Sequence, residues 1–418
     1  IVFGDWSSDV CSSDLGPNSG TGSLVAPRFM TWSEDSILHL ADLNGNKVVS
    51  LPDKDGDMVA DTMFIAASIP NTHSIQFYNG NLYTAETFKV YKHFDDNKDG
   101  FWERKEVFIE GFGDGSWGNH ITRTILFDKE NKKLYLSIGS RCNVCREDKR
   151  AIIEIYNDDG SGRRTFADGI RNAVGLDFNP ATGELWGTNN GSDYQGDYIP
   201  PEWIDVIKDG GFYGYPIAHS YQMYFDFNVS NEYRALLPIT KEDSARVNSM
   251  KFPAALIQAH SAPLGIKFSN NSYPKEFQSG AFIAYHGSWN KTVATGYKVV
   301  YLGFDDLRDT VASFVADFVT GFHPDSLSNY YWARPVGVET DSKGNLYISS
   351  DQGMKFVLIV FKDEDSHINE RSNELKNQNE FDIFPNPAKD KFSLKFCNQN
   401  YYNRSEERRV GKECRSRW

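Results

Sequence analysis

Hydrophobic and polar positions recur along the chain in one short pattern: a polar turn, a Leu–aromatic pair, then small or polar residues. Each copy is typical of a tight turn that leads into a β-strand. The four copies are NGNLYTAET (79–87), NKKLYLSIGS (131–140), TGELWGTNNG (182–191) and KGNLYISSDQG (343–353). Their Leu positions lie 52, 51 and 161 residues apart, and a variant, SGAFIAYHGSW (279–289), falls inside the long interval. A repeat of about 50 residues built from short strands predicts a β-propeller, with one four-stranded blade for each repeat.

Helical periodicity is nearly absent, and only PPEWIDVIKDGG (200–211) predicts a short helix, because Pro stands near its start and Gly follows its end. Residues 363–380 are charged and polar, which is typical of a linker. In NEFDIFPNPAKDKFSLKF (379–396) a Pro-Asn-Pro turn precedes alternating apolar residues, which predicts a hairpin of a small β-sandwich. We therefore predict an all-β chain: a propeller over 16–362, a linker, and the start of a small sandwich over 381–403.

Both ends of the chain resemble translated sequencing adapter. DWSSDVCSSDL (5–15) corresponds to the reverse complement of a common adapter, and RSEERRVGKECRSRW (404–418) corresponds to the adapter itself. We interpret 1–15 and 404–418 as scars of cloning or assembly, and we expect the genuine part to be a fragment. Of the five cysteines, this interpretation leaves Cys142, Cys145 and Cys397.

Composition narrows the class of protein. The contents of 40% hydrophobic and 14% aromatic residues are typical of a packed globular chain. The net charge of −13 argues against a nucleic-acid or anionic-membrane partner. No apolar run approaches the ~18 residues that a membrane-spanning helix needs. The segment GDGSWG (113–118) matches a dinucleotide-binding motif, but a strand-like pattern follows it where such a site needs a helix.

One loop has the spacing of a calcium site. In DDNKDGFWERKE (95–106), oxygen-bearing side chains stand at Asp95, Asn97, Asp99 and Glu106 around a glycine turn, which suits Ca²⁺. The helices that flank an EF-hand loop are not predicted here, because the preceding YKHF is strand-like. A structural calcium and a plain turn held by Asp and Asn side chains both remain open.

Several polar residues are embedded in strand-like apolar stretches. Taken singly, each is more often a structural hydrogen-bonding residue than a site residue. In a propeller, however, the inner strands converge on the axis, so such residues from different blades can share one cleft. The candidates are His120, Arg171, Asn172, Asn190, Asp193, His286 and Arg334.

Over residues 118–352 the chain resembles the soluble quinoprotein glucose/sorbosone dehydrogenases, especially the sorbosone-dehydrogenase-like branch. The resemblance implies a six-bladed β-propeller that binds pyrroloquinoline quinone (PQQ) and Ca²⁺ on its axis and oxidises sugars, sugar aldehydes or related polyols. The segments that carry it include GNHITRTILF (118–127), FADGIRNAVGLDF (166–178), AHSAPLGIKF (259–268), AFIAYHGSWNK (281–291) and ARPVGVETD (333–341).

The resemblance also implies a role for each matched residue. His120 matches the general base, which takes the proton of the substrate hydroxyl while hydride moves to the quinone; the ordinary histidine pKa of ~6.5 suits this role. Gly191 and Ser192 occupy the place of the backbone carbonyls that bind the axial calcium. We expect the cofactor to be bound by Arg171, Asn172, Asn190, His286 and Arg334.

Three positions depart from the family pattern. Trp332 stands where glucose-oxidising members have the first of two cofactor arginines, and a Gly-Ser pair replaces the Gly-Pro calcium corner. Lys291 is the nearest candidate for the family's cofactor lysine, and His73 is a weaker candidate for the cavity mouth. Two alternatives remain: a non-catalytic propeller that binds a carbohydrate or a protein, and a calcium-dependent hydrolase of the lactonase type. We favour the dehydrogenase, acting on a small sugar or polyol with an external electron acceptor.

The tail and the cysteines bear on location. The aromatic-Pro-Asn-Pro-Ala segment at 384–388 resembles the start of the C-terminal sorting domain of type IX secretion cargo, which implies export by that machinery to the cell surface or the medium. The Cys-x-x-Cys pair, Cys142 and Cys145, is compatible with a redox dithiol, half a zinc site or a disulfide loop. No second such pair completes a zinc site. Because export leads to an oxidising compartment, we expect a short disulfide at the rim of the active site.

Overall fold

The computed structural model describes residues 23–362, apart from 57 and 59, together with strand 392–395. Six antiparallel sheets form the blades of a propeller, and the first strand of each blade contacts the first strands of its neighbours around the axis. The prediction of an all-β, six-bladed propeller is confirmed. The expected scars and linker, and the sorting domain apart from 392–395, lie outside the described residues, so these assignments stay predictions.

The first three blades follow one another along the chain. Blade one contains β1 Pro27–Trp32, β2 Leu38–Asp42, β3 Lys47–Leu51 and β4 Phe64–Ser68. Blade two contains β5 Ser74–Tyr78, β6 Asn81–Ala85, β7 Lys89–Phe94 and β8 Arg104–Glu110. Blade three contains β9 Arg123–Asp128, β10 Lys133–Ile138, β11 Ile152–Asn157 and β12 Arg164–Asp168.

An insertion interrupts the fourth blade, which begins with β13 Leu176–Phe178, β14 Leu185–Asn189 and β15 Glu202–Val206. The insertion contains β16 Gly211–Phe212, β17 Ala218–His219, β18 Met223–Tyr224, α1 Asn231–Arg234 and α2 Lys241–Asn248. Strand β16 runs parallel to β12 and adds a fifth strand to blade three. Strand β19, Ala255–Ile257, then completes blade four beside β15.

The last two blades return the chain to its start. Blade five contains β20 Pro263–Phe268, β21 Gly280–Tyr285, β22 Lys298–Gly303 and β23 Phe314–Val319. Blade six contains β24 Ala333–Thr340, β25 Leu346–Gly353, β26 Phe356–Lys362 and β27 Phe392–Lys395. The expected sandwich hairpin thus contributes its residues 392–395 as the outer strand of this blade, paired antiparallel with β26. No helix within the described part of the chain is long and apolar enough to cross a membrane.

The Leu–aromatic repeat occupies the second strand of its blade. The four copies lie on β6, β10, β14 and β25, and the variant lies on β21. In β14, for example, Leu185 and Trp186 are both buried, although neighbouring residues of a strand point to opposite faces. Both faces of a blade are covered by adjacent blades, so a pair of consecutive large apolar residues is the natural signature of a propeller strand.

The helix predicted at 200–211 is wrong, because this segment contains strand β15 and all five of its residues are buried. Trp203 packs in the core between blades three and four, whereas Ile204 packs in the core between blades four and five. Burial on both faces therefore overrides the terminal Pro and Gly signals. Among the described residues the longest helix is α2, which begins at a capping box formed by Thr240 and Asp243.

Buried hydroxyl groups join one blade to the next. At the junction of blades six and one, Ser349 Oγ donates to the Arg28 carbonyl at 2.6 Å and accepts from Gly337 N at 2.9 Å. Trp32 Nε1 also donates to the carbonyl of Thr340 at 2.9 Å across this junction. The same kind of hydroxyl-to-carbonyl bond is made by Ser74 to Ile125, Thr124 to Val174, and Thr188 to Leu264. These bonds hold the inner strands together and close the ring.

Candidate active site

A cavity of about 370 Å³ is formed near the axis by residues of blades one, three, four, five and six. Its wall contains seven of the residues expected at the site: His120, Arg171, Asn172, Asn190, Gly191, His286 and Arg334. Asp193 lines the cavity as well. The convergence of these side chains, which are separated by more than 200 positions in the chain, is what the propeller geometry predicted.

His120 stands just before β9 and is fixed through one ring nitrogen. Its Nδ1 lies 2.8 Å from the Ser140 carbonyl, which can only accept, so Nδ1 carries the proton. The unprotonated Nε2 is then the nitrogen left for the cavity. Burial and the charge of Arg171 lower the pKa of His120 to about 3, so the imidazole is neutral at physiological pH and can accept a proton.

Six histidines among the described residues have lowered pKa values. Burial removes water from the imidazoles and so disfavours their charged form. The pKa is lowered to about 4 for His39, His93, His219 and His286 and to about 3 for His120, and it lies well below its usual value for the fully buried His73. These histidines are neutral in the folded protein at physiological pH, whereas in the unfolded chain they titrate near 6.5.

Three arginines line the cavity: Arg28, Arg171 and Arg334. Arg334 donates to the carbonyls of His286 and Gly287 and to the side-chain oxygen of Gln352. All three acceptors are uncharged, and the guanidinium lies over the Tyr297 ring, 5.3 Å from its centroid. The positive charge of Arg334 is therefore available to an anion in the cavity.

Arg28 was missed by the sequence analysis. It lies on β1 in the apolar stretch VAPRFMTW, so the criterion that selected Arg334 would also have selected it. Its Nη1 forms an ion pair with Asp351 at 2.5 Å, and the other Asp351 oxygen contacts His286 Nε2 at 2.8 Å. Burial alone would raise the pKa of Asp351, but His286 and Arg28 hold it well below its usual value. The pair His286–Asp351 thus connects the cavity wall to Arg28.

The asparagines expected at the cofactor hold the wall together. Asn190 Nδ2 donates to the carbonyls of Asn172 and Pro263 at 3.3 and 3.1 Å. Gly139 allows the close approach of blade three, because a Cβ there would lie 2.4 Å from Asn172 Oδ1 and 2.7 Å from His120 Cβ. A larger residue at this position would displace both expected site residues.

The expected calcium corner is rich in oxygen but already contacts a cation. The Gly191 carbonyl accepts from Arg171 Nη1 at 2.5 Å, and Asp193 pairs with the same guanidinium at 3.2 Å. Nearby, the buried Glu202 accepts from the backbone N–H of Ala262 at 2.6 Å, and burial raises its pKa to about 8. Carbonyl and carboxylate oxygens suit Ca²⁺. An ion bound here would, however, share Gly191 and Asp193 with Arg171. Ser192 is buried behind this wall, with its hydroxyl bonded to Tyr233.

The weaker candidates His73 and Lys291, and Trp332 at a position that departs from the family pattern, lie outside the lining. His73 is fully buried behind the cavity and accepts from Arg28 Nε at 2.9 Å. Trp332 Nε1 donates to the Gly321 carbonyl, and Lys291 Nζ lies 5.4 Å from the centroid of the Tyr198 ring. His260, which the sequence analysis did not single out, does line the cavity, with Nδ1 3.9 Å from Asp193.

The loop at 95–106 forms side-chain-to-backbone turns. Asp95 accepts from the backbone N–H of Asp99 and Gly100 at 3.1 and 2.9 Å, and Asn97 Oδ1 accepts from Asp99 N at 2.9 Å. Glu106 accepts from Arg104 at 2.9 Å. This is the geometry of the turn alternative, and calcium binding by the loop stays a prediction.

Cys142 and Cys145 form the expected disulfide. The short loop that they close lies against the site, because Ser140, the partner of His120, donates from Oγ to the Cys142 carbonyl at 2.8 Å. Val144, between the two cysteines, is buried in a core formed mostly by the insertion. The disulfide loop therefore links the insertion to the cavity wall.

Several solved structures of other proteins share the fold of this chain. A calcium structure of a family AA12 carbohydrate-active enzyme from Trichoderma reesei superposes with a TM-score of 0.68 at 22% identity, over 80% of this chain and 93% of that one. The holo form of the PQQ domain of pyranose dehydrogenase from Coprinopsis cinerea gives a TM-score of 0.63 at 20% identity, over 82% and 94% of the two chains. At these identities the likeness establishes the fold alone.

Sequence comparison identifies the family. Residues 17–362 match the TrAA12-like family, so the chain belongs to that family. It is 29% identical over 313 residues to an uncharacterized protein of Borreliella burgdorferi, covering 71% of this chain and 78% of that protein. It is 25% identical over 293 residues to a PQQ-dependent pyranose dehydrogenase of Coprinopsis cinerea, and 26% identical over 225 residues to a PQQ-dependent sugar dehydrogenase of Hypocrea jecorina. The matches cover 57% and 47% of this chain, but only 39% and 48% of those two relatives.

Proposed function

We propose that this protein is a PQQ- and calcium-dependent dehydrogenase that oxidises a sugar, a sugar aldehyde or a related polyol. The observation that carries the proposal is the axial cavity, whose lining combines three arginines with a neutral, anchored histidine. Family membership and the PQQ-dependent relatives support the same class of activity. The preference for sorbosone-like substrates stays a prediction.

The lining chemistry fits PQQ, a planar anion that carries three carboxylate groups. Arginine binds carboxylates through two parallel N–H bonds, and it is the side chain best suited to planar anions. Within the described part of the chain, the hydrogen-bond acceptors of Arg334 are all uncharged, so a cofactor carboxylate would balance its charge. We assign Arg28, Arg171 and Arg334 to the cofactor carboxylates, with His286 oriented beside them by Asp351.

His120 is the group that we assign to proton transfer. Ser140 fixes its tautomer and ring orientation, so Nε2 can accept the proton of a substrate hydroxyl without first losing one. Bound PQQ would supply the two-electron acceptor for the hydride of the carbon that bears this hydroxyl. Removal of the proton by His120 and of the hydride from carbon together convert an alcohol to a carbonyl, or a hydrated aldehyde to an acid.

We propose a calcium ion at the Gly191–Ser192 corner, supported by the oxygen donors of that wall. Arg171 already contacts Gly191 and Asp193, so binding of the ion depends on the negative charge that the cofactor adds. Titration of calcium into the metal-free protein with and without PQQ tests this dependence. Equal calcium affinity in the two cases would contradict it.

Reconstitution tests the proposed function directly. The full chain is titrated with PQQ in calcium-containing buffer, followed by dye reduction over a panel of sugars, sugar aldehydes and polyols. We expect PQQ binding at micromolar concentration or tighter and dye reduction with at least one substrate class. The absence of PQQ binding in that range would exclude the dehydrogenase.

Two acidic residues and several amides in the lining keep the hydrolase alternative testable. Asp193, Glu202, Asn172 and Asn190 are the residue types that a calcium-dependent lactonase needs around an axial metal. Lactone hydrolysis that requires calcium but not PQQ would favour that alternative. The three arginines favour the anionic cofactor.

Export remains part of the proposal. The Cys142–Cys145 disulfide is typical of an oxidising compartment, which agrees with delivery to the cell surface or medium. The sorting-domain resemblance at 384–388 lies outside the described residues. Secretion of a tagged protein that carries this tail, compared with one that lacks it, tests the role of type IX machinery.

A further inference from the structure

The disulfide loop contributes a side chain that no role of the proposed chemistry assigns. Asn143, enclosed between Cys142 and Cys145, is buried and points toward the cavity wall. Its carbonyl accepts from Arg171 Nε at 3.0 Å, and its Oδ1 accepts from Arg171 Nη2 at 3.1 Å. One residue of the loop thus contacts two edges of the guanidinium that we assign to the cofactor.

Asn143 also contacts Asp193, the ion-pair partner of Arg171. Its Oδ1 accepts from Asp193 N at 2.8 Å, and its Nδ2 donates to the Asp193 carbonyl at 3.2 Å. The second Nδ2 hydrogen is directed to Glu232 of the insertion at 3.0 Å. Asn143 therefore bridges Arg171, Asp193 and the insertion, and its amide has a partner at each polar atom.

The arrangement leaves Arg171 with a defined free edge. A guanidinium has five N–H groups. Four of those of Arg171 are taken by the Asn143 carbonyl and Oδ1, the Gly191 carbonyl and the Asp193 carboxylate. The remaining N–H, on Nη1, has no acceptor among the described residues and is left for a ligand in the cavity that Arg171 lines. The four hydrogen bonds hold the long Arg171 side chain in one rotamer before a ligand binds. Ligand binding therefore loses less side-chain entropy than it would with a mobile arginine.

We propose that Asn143 is a positioning residue that sets the orientation of Arg171 and Asp193 toward the cavity, and that the Cys142–Cys145 disulfide holds Asn143 in place. The cross-link spans only Asn143 and Val144, so it restricts the backbone at the residue that makes these contacts. Val144 anchors the same loop in the core of the insertion. The inference rests on the proposed function for the identity of the ligand, but not for the geometry of the contacts.

A double-mutant cycle on PQQ affinity tests the path through Arg171 in the full chain. We expect Asn143→Ala to raise the Kd for PQQ about 10-fold, the size of the loss of a hydrogen bond to a charged group. Arg171→Ala should raise it at least as much, and the double variant should equal Arg171→Ala within about twofold, because the two residues act in series. Additive losses would overturn the inference.

Removal of the disulfide tests its part in the proposal. We expect Cys142→Ser/Cys145→Ser to raise the Kd for PQQ as well, and an unchanged Kd would remove the disulfide from the proposal.

Arg146→Ala is the matched control. Arg146 follows the disulfide directly and forms a two-bond ion pair with Asp243 of α2; its hydrogen-bond partners among the described residues are Asp243 and Leu236, not Arg171. A merely structural role for the loop predicts that Arg146→Ala and Asn143→Ala weaken PQQ binding alike. We expect Arg146→Ala to lower Tm while leaving the Kd within about twofold.

Hydrogen exchange of the cofactor-free protein gives an independent measurement. The Asp193 amide donates to Asn143 Oδ1, so Asn143→Ala should accelerate exchange in peptides that cover 190–197, and Arg146→Ala should not. Unchanged exchange overturns the positioning role whether or not PQQ binds. Failure of the wild type to bind PQQ, with exchange accelerated as expected, refutes the proposed function alone. If Asn143→Ala does not fold, Asn143→Leu preserves the approximate side-chain size but offers no acceptor to the Asp193 amide, and it should accelerate the same exchange.

Discussion

Replacement of His120 by Ala tests the proton-transfer step most directly. A positioned general base contributes about 10²–10⁴-fold to the rate. Burial and Arg171 lower the pKa of His120 to about 3, so it is a weaker base than a free imidazole. We therefore expect a fall in kcat at the lower end of this range, about 10²-fold, or about 2.7 kcal/mol of transition-state stabilisation.

The assay is steady-state dye reduction at saturating PQQ, with the Kd for PQQ measured in parallel. His286→Ala is the matched control, because His286 also lines the cavity and is bonded to Asp351 near the assigned carboxylate-binding arginines. We expect His120→Ala to lose kcat with the Kd unchanged, and His286→Ala to raise the Kd. A His120→Ala protein that retains more than about a tenth of the wild-type kcat would refute the base assignment.

The pH dependence of kcat/KM checks the same assignment without mutation. A base with the ordinary histidine pKa of ~6.5 would produce an acidic limb near that pH. Because burial and Arg171 keep His120 neutral, we expect kcat/KM to stay flat well below pH 6.5, as far as the protein stays folded. An acidic limb at about pH 6.5 in the folded protein would show that another group, or a different environment of His120, controls the rate.

Three further perturbations have defined outcomes. Arg334→Gln should raise the Kd for PQQ by about 10- to 100-fold, since it removes a charged donor of the lining, and an unchanged Kd would exclude Arg334 from the cofactor site. Ser349→Ala should lower the free energy of unfolding by about 1–3 kcal/mol in urea denaturation, because it leaves two buried backbone groups at the ring closure without their partner; a loss below about 0.5 kcal/mol would contradict this. The free energy of unfolding should also fall as the pH drops from about 6.5 toward 4. In this range the six histidines of lowered pKa bind protons in the unfolded chain but not in the folded protein, and each can lower the free energy of unfolding by up to about 1.4 kcal/mol per pH unit. Glu202 and Asp205, whose pKa burial raises to about 8, act in the opposite direction, so stability that rises on acidification would show that these carboxyls outweigh the histidines.

Much of the fold could be predicted from local pattern. The Leu–aromatic pairs were assigned to strands because each follows a polar turn, and each pair lies on the second strand of its blade. The first blade lacks that pair in its second strand, Leu38–Asp42, so the repeat did not mark it. The segment 200–211 shows the opposite failure. Its terminal Pro and Gly indicated a helix, but packing of Trp203 and Ile204 against two neighbouring blades decided for a strand.

The candidate site was predicted where each residue carried its own signal. His120, Arg171, His286 and Arg334 are polar residues in apolar surroundings, and all four line the cavity. Their partners carried no such signal: Asp351 lies in a polar segment of the sequence, yet it connects His286 to Arg28, which is 323 positions away.

The amino-acid sequence by itself determined the alternation that makes the blades, the residue types available for the site, and the proximity of Cys142 and Cys145. Local spacing suffices for these features, because strand pairing within a blade and a disulfide across two residues involve near neighbours in the chain. Tertiary structure alone decided that Arg28 completes the set of cavity arginines and that Asn143 holds Arg171. Both contacts arise from closing the ring and packing the insertion against it, and their distances depend on the positions of whole blades rather than on any one segment.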